Sequence, residues 1–291
     1  MKILKYLIEA IFIYVLFFLF RILGISLSRK FSSFLLVKFG FLFRKKEIVK
    51  NNILKVFKQY SNTESDKLIK KMWSNYGLTF AEYVFLDKFR FNKLPKSHIE
   101  ISGEEILVKV KKVGKPVIFI SAHLANFEIM AMELEKKNIN LAAIYRPLNN
   151  FFLNPFMVYL RKKYLCKKQV KKGLMGTRET INYIKNNNSI ALMVDQRVGE
   201  SERYPFFGIP AHTTTIPAQL ALKYDLEIIP IFLERKEENF FKMEIQQPIK
   251  YEKTLNSDED KKNITIEINR IIEKMILKNP TQWIWTHSRW K

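Results

Sequence analysis

The chain has 291 residues, of which 50 are Lys or Arg and 28 Asp or Glu, for a net charge of +22; 47% are hydrophobic and 24 are Phe. With only 9 Gly and 10 Pro the sequence excludes collagen-like and linker-rich chains, and its apolar fraction excludes disorder. A single cysteine, Cys166, rules out an internal disulfide and a thiolate zinc finger, and the positive charge demands an anionic partner: nucleic acid, an acidic protein or anionic lipid.

Residues 3–27 are almost wholly apolar apart from Lys5, Glu9 and Arg21, and residues 10–20 carry no charge. About 20 apolar residues at 1.5 Å rise cross a hydrocarbon layer, a length reached here if Lys5 and Arg21 snorkel toward the interfaces. A helix lying in the interface is the alternative, because Glu9 and Arg21 are poor guests in a span. A cleaved signal peptide would need a small-x-small pattern that does not follow. Arg21, Arg29, Lys30, Lys38, Arg44, Lys45 and Lys46 follow the segment against Lys2 and Lys5 before it, which places the remainder in the cytoplasm. Residues 31–43 are too short to span and end in a basic run, fitting either an interfacial helix or a core helix. The chain therefore divides into a membrane-embedded helix (1–28), a basic aromatic segment (29–46) and a soluble body (47–291).

From residue 47 onward the pattern is that of an α/β domain. Thr63 and Asp66 have the spacing of a capping box opening a helix through about residue 87. Strands are expected at 98–102, 117–121, 141–145, 190–194, 227–233 and 241–246, and helices at 127–137, 155–166, 177–186, 216–224 and 258–277, the last capped by Ser257. This alternation predicts a single, mainly parallel sheet flanked by helices, with ligands at the carboxyl ends of the strands.

Three expected strand ends carry reactive side chains: SAHLANFE (121–128), YRP (145–147) and DQR (195–197). On one helix His123 and Glu128 would lie about 140° apart, so contact requires His123 in the turn and Glu128 in the first helical turn, with Asn126 as N-cap. There Glu128 would orient the imidazole and His123 would act as general base toward a hydroxyl supplied by the substrate. The bland account is a histidine satisfied in a strand–helix turn. Arg146, at a strand end, suits a phosphate or a developing oxyanion, the alternative being a plain surface arginine. Asp195 can position Arg146 or a sugar hydroxyl and Gln196 can donate a hydrogen bond, or the two form a plain strand-end turn. Arg161 stands in a basic helix with Lys162 and Lys163, where it either holds a phosphate or forms part of a solvated face. Cys166 lacks the histidine and the nucleophile elbow that a covalent mechanism needs. His287 reads as structural or as a head-group contact.

SAHLANFE, YRPLNN, the stretch from VDQR through PFFG to TTT, and the terminal QWIWTHSRW together resemble the late acyltransferases of bacterial lipid A biosynthesis, within the lysophospholipid acyltransferase superfamily. The resemblance covers nearly the whole chain. It implies transfer of a fatty acyl group from acyl carrier protein to the hydroxyl of a 3-hydroxyacyl chain on a Kdo-bearing lipid A precursor at the bacterial inner membrane. The implied protein is single-pass with its catalytic domain on the cytoplasmic face, and it needs no metal or bound cofactor. His123 would be the base and Glu128 its partner; Arg146, Arg161, Arg178, Asp195 and Gln196 would contact substrate. Phe127, Phe151, Phe152, Phe206 and Phe207 are candidates for an acyl groove. The chain departs from the wider superfamily in lacking an EGTR block, where Gly173–Arg178 and Pro205–Gly208 stand instead. That departure favours the lipid A branch over a glycerol-phosphate acceptor. A phospholipid or glycolipid acyltransferase of the same fold, and a non-catalytic basic membrane-binding module, are the alternatives. No nucleic-acid motif accompanies the charge.

Overall fold

The computed structural model describes residues 2–199 and 201–291. Its helices are α1 (Lys2–Phe39), α2 (Lys46–Val56), α3 (Asn62–Glu82), α4 (Leu86–Arg90), α5 (Glu104–Val113), α6 (Glu128–Lys136), α7 (Asn154–Leu160), α8 (Leu174–Lys185), α9 (Ile216–Tyr224) and α10 (Ser257–Lys278). Its strands are β1 (Ile99–Ser102), β2 (Ile118–Ser121), β3 (Leu141–Tyr145), β4 (Lys168–Lys171), β5 (Ser189–Met193), β6 (Arg203–Phe206), β7 (Ile209–His212), β8 (Ile228–Arg235) and β9 (Phe241–Ile245).

Seven strands form one sheet in the order β1-β9-β8-β2-β5-β3-β4. Every pairing in it is parallel except β8 with β9, so the sheet is mainly parallel, as the alternation predicts. β2 reads IFIS with all four residues buried, the run of apolar residues that a central strand covered on both faces requires. One apolar layer packs α3, α9, α10, Trp283 and Trp285 on one face; the other face carries α4, α5, α6 and Phe17 and Phe20 of α1.

α1 bends at Gly24, whose φ of 73° places it in a region glycine occupies without strain. Residues 31–39 belong to the helical segment of α1 that follows the bend at Gly24. Past the bend α1 lies so close to α3 that a Cβ on Gly77 would stand 2.6 Å from the Ser32 carbonyl oxygen, and the Ser32 hydroxyl donates to the Gly77 carbonyl at 2.7 Å.

Two local expectations shift, and the PFFG segment takes a defined form. The capping box of α3 is Ser61 with Glu64, two residues ahead of Thr63 and Asp66, because the Asp66 carboxylate accepts instead from Lys46 at 2.9 Å. Asn256, not Ser257, caps α10 by accepting from the Glu259 amide at 3.2 Å. PFFG is a hairpin turn joining β6 to β7, with both Phe207 (φ 54°) and Gly208 (φ 70°) left-handed, as a two-residue loop between antiparallel strands requires.

Candidate active site

The register of two neighbouring strands builds the site. β2 and β5 run parallel with Ser121 opposite Met193, so two residues further on His123 and Asp195 leave the same end of the sheet side by side. The Val194 amide donates to the Ser121 carbonyl at 3.0 Å, prolonging the ladder to that point. His123 Nδ1 lies 2.7 Å from Asp195 Oδ1, and the His123 amide donates to Asp195 Oδ2 at 3.1 Å. The Trp283 indole N–H adds a third contact to Oδ2 at 2.7 Å.

The Asp195 side chain is 1% exposed and that of His123 17%. Burial alone would raise the Asp195 carboxyl, but the imidazole and the donated hydrogen bonds outweigh it and hold the carboxyl at about 2. An ionised carboxylate can only accept, so His123 carries a proton on Nδ1, and in the neutral imidazole the lone pair is on Nε2. The Phe127 ring meets the imidazole edge-on at 4.5 Å.

This corrects the partner expected for His123. Glu128, the first residue of α6, turns its Oε1 to Arg161, which donates from Nε at 3.0 Å and from Nη2 at 2.5 Å, and to the Tyr83 hydroxyl. Burial would lower Arg161, yet Glu128 and Tyr83 more than offset it, so the guanidinium stays charged. Arg161 Nη1 is buried with no hydrogen-bond partner among the described residues. Arg161 is thus an inward-facing member of a carboxylate cluster rather than part of a solvated basic face, and Asp195 holds the imidazole rather than Arg146 or a sugar.

The loop between β2 and α6 is braced from beneath. Asn126 does not cap α6: its amide donates to Glu82 Oε2 at 2.8 Å. Glu82, fully buried, also receives Arg29 Nε from α1 at 2.8 Å and Arg235 from the end of β8 at 2.5 Å. Thr79 donates to the Ala125 carbonyl at 3.0 Å, and Ala125 is held at a positive φ of 49°. Above the loop the C-terminal segment closes over: Leu124 pairs with Trp283 in an antiparallel bridge, and the Ala125 amide donates to the Gln282 carbonyl at 3.2 Å.

The remaining expected residues fall in different places. Arg146 and Arg178 are exposed and Gln196 is half-buried. The five phenylalanines do not line one groove: Phe127 touches His123, Phe151 and Phe152 lie against α1, and Phe206 is fully buried against Trp283 and Trp290 with Phe207 beside it. Phe206 is a core residue, and an arginine, Arg289, covers its ring. Burial pushes the Cys166 thiol up to about 11, which leaves it unreactive. His287 is driven down to about 4 by burial, and its Nδ1 accepts from the Arg197 amide at 3.4 Å as a neutral imidazole does.

Sequence reasoning missed Trp283, Tyr83 and Glu82. The signal available for Trp283 was its place in QWIWTHSRW; Tyr83 and Glu82 sit in an amphipathic helix where nothing in the spacing sets them apart.

The sequence pattern of the bacterial lipid A biosynthesis acyltransferases matches residues 1–291. The chain is 23% identical over 259 residues to a lipid A biosynthesis palmitoleoyltransferase of Escherichia coli (strain K12), covering 86% of this chain and 80% of that protein. It is 23% identical over 254 residues to a lipid A biosynthesis lauroyltransferase of the same organism, again 86% and 80%. A lipid A biosynthesis acyltransferase of Haemophilus influenzae (strain ATCC 51907 / DSM 11121 / KW20 / Rd) is 23% identical over 265 residues, 87% and 82%. With His123 held by Asp195 at the carboxyl end of a parallel sheet and a match along its whole length, the chain belongs to the bacterial lipid A biosynthesis acyltransferase family and is an acyltransferase acting on a lipid A precursor.

Proposed function

We propose that the protein transfers a fatty acyl chain from acyl carrier protein to the hydroxyl of a 3-hydroxyacyl chain on a Kdo-bearing lipid A precursor. His123 Nε2 takes the hydroxyl proton as the oxygen attacks the thioester carbonyl; the tetrahedral intermediate collapses, the new ester remains on the lipid, and the phosphopantetheine sulfur leaves with a proton returned by the imidazolium. Asp195 fixes the tautomer and steadies the imidazolium. The amides at the start of α6, next to Phe127, and the Arg146 guanidinium are the donors suited to the oxyanion. Arg161 orders the start of α6 through Glu128 beside the acceptor's path.

The observation that carries this reading is the His123–Asp195 contact at 2.7 Å, with Nε2 left open, in a chain of this family. The charge of +22 suits an acidic carrier protein and a phosphorylated acceptor alike. α1 is long and apolar enough to cross a membrane and keeps most of its first 20 residues exposed, which favours anchoring at the inner membrane with the body on the cytoplasmic face. Mass spectrometry of lipid A from cells with and without the protein tests the reading: one acyl chain fewer is expected without it, restored by the wild type and not by His123→Ala, whose rate should fall about a thousandfold. An unchanged acyl count would overturn it.

A further inference from the structure

The charge-free part of α1, residues 10–20, does not stand clear of the body. Its outer face, with Ile11, Phe12, Val15, Phe18 and Leu19, is exposed, while its inner face meets the turn and helix that follow β3. The Tyr14 hydroxyl donates to the Phe152 carbonyl at 2.9 Å, and the Phe156 ring packs 5.5 Å from Tyr14 and 6.2 Å from Phe17. Nearer the N-terminus the Asn150 amide donates to the Tyr6 carbonyl at 2.8 Å, and Phe151 lies 6.0 Å from the Tyr6 ring. These contacts run from Tyr6 to Phe17, about 16 Å of helix at 1.5 Å per residue. Whatever medium surrounds the apolar face of α1 therefore also surrounds the segment beside it.

That segment is built for lipid. Leu148, Phe151 and Tyr159 are exposed at 40%, 51% and 51%, an arrangement costly in water and favourable in hydrocarbon. Directly after it comes a basic run in which Lys162, Lys163, Lys167, Lys171 and Lys172 are exposed. Lys163 donates to the Tyr159 hydroxyl at 2.6 Å, joining the last aromatic residue to the first charges. An apolar tip bordered by lysines matches the profile of an anionic bilayer, tails below and phosphates above.

We propose that residues 148–159 form a second membrane-inserted element, entering the hydrocarbon of an anionic bilayer beside α1 with Lys162, Lys163 and Lys167 among the head groups. The proposal rests on the reading that α1 is seated in a membrane. Its consequence for the reaction is one of depth: Arg161 lies five residues beyond Phe156, about 7.5 Å along the helix, so the Glu128–Arg161 cluster sits at head-group level and a lipid acceptor reaches it without leaving the bilayer.

The test uses full-length protein with buried Cys166 replaced by Ala and one nitroxide label at a time, at Phe151→Cys, Ile11→Cys or Val113→Cys, in vesicles of phosphatidylethanolamine and phosphatidylglycerol. Power saturation compares collision with oxygen, enriched in hydrocarbon, and with a water-soluble nickel chelate. The label at 151 should match that at 11, oxygen-accessible and shielded from nickel, while that at 113, on the end of α5, stays open to nickel. A label at 151 that behaves like 113 while 11 stays shielded overturns this proposal and leaves the anchor standing. If 11 also behaves like 113, the anchor reading falls and takes the proposal with it. As a second measurement on unlabelled protein, Leu148→Asp with Phe151→Asp should weaken vesicle binding about tenfold, since acidic side chains are disfavoured in hydrocarbon; unchanged binding overturns the proposal.

Discussion

Two carboxylates flank the β2–α6 loop, and they serve different masters. Asp195 is 1% exposed and closes on His123 and Trp283; Glu128 is 11% exposed and closes on Arg161 and Tyr83. The nearer residue in sequence is not the imidazole's partner. Five positions along a strand–helix turn leave Glu128 on α6, facing the π turn that carries Arg161, whereas 72 positions away Asp195 is brought alongside by the register of two parallel strands. Strand register, which couples residues distant in sequence, decides which acid holds the imidazole.

The largest effect on this contrast should come from a third acid beneath both. Glu82 joins Arg29, Arg235 and Asn126, and although burial opposes its charge, the two guanidiniums keep its carboxyl below the usual range. Glu82→Ala would strand two buried arginines and release the loop, with a loss of about 3–5 kcal/mol expected in denaturant unfolding. A loss below about 1 kcal/mol would show that the cluster does not brace the site.

Glu128→Gln sharpens the contrast between the two acids. Since Glu128 does not touch the imidazole, its replacement by Gln should lower the rate through Arg161 while leaving the acid limb of the pH–rate profile where it is in the wild type. A limb displaced by about a full unit would mean that Glu128 sets the basicity of His123 after all.

A smaller effect is expected in the pH dependence of stability. His287, at about 4 against an ordinary 6.5, is folded neutral, so the unfolded chain binds the proton first and stability falls as pH drops from 6.5 through 4. Asp195, depressed to about 2, adds a further loss only as pH falls from about 4 through 2. His287→Asn should flatten the first decline and leave the second; melting temperatures measured from pH 7 to about 2 read both.

Much of this was legible in the sequence. The alternation of buried strands with amphipathic helices gave the mainly parallel sheet, and SAHLANFE placed His123 at the end of β2. β4 was hidden because KQVK is a half-polar edge strand, and the β6–β7 hairpin because its turn is made by Phe207, a residue rarely left-handed. The partner of His123 was hidden for a different reason: a hydrogen bond between strand ends follows from which strands are neighbours, and sheet order is not written in local spacing. Trp283 stood in the QWIWTHSRW motif, but its contact with Asp195, made from the far end of the chain, was out of reach on the same grounds.

The most direct measurement is the turnover of Asp195→Asn in purified enzyme with an acyl carrier protein thioester and lipid acceptor. If Asp195 holds the Nδ1–H tautomer, kcat should fall by about 10²–10⁴-fold. A kcat within about threefold of wild type, in protein that remains folded, would mean that the base is held by something other than Asp195.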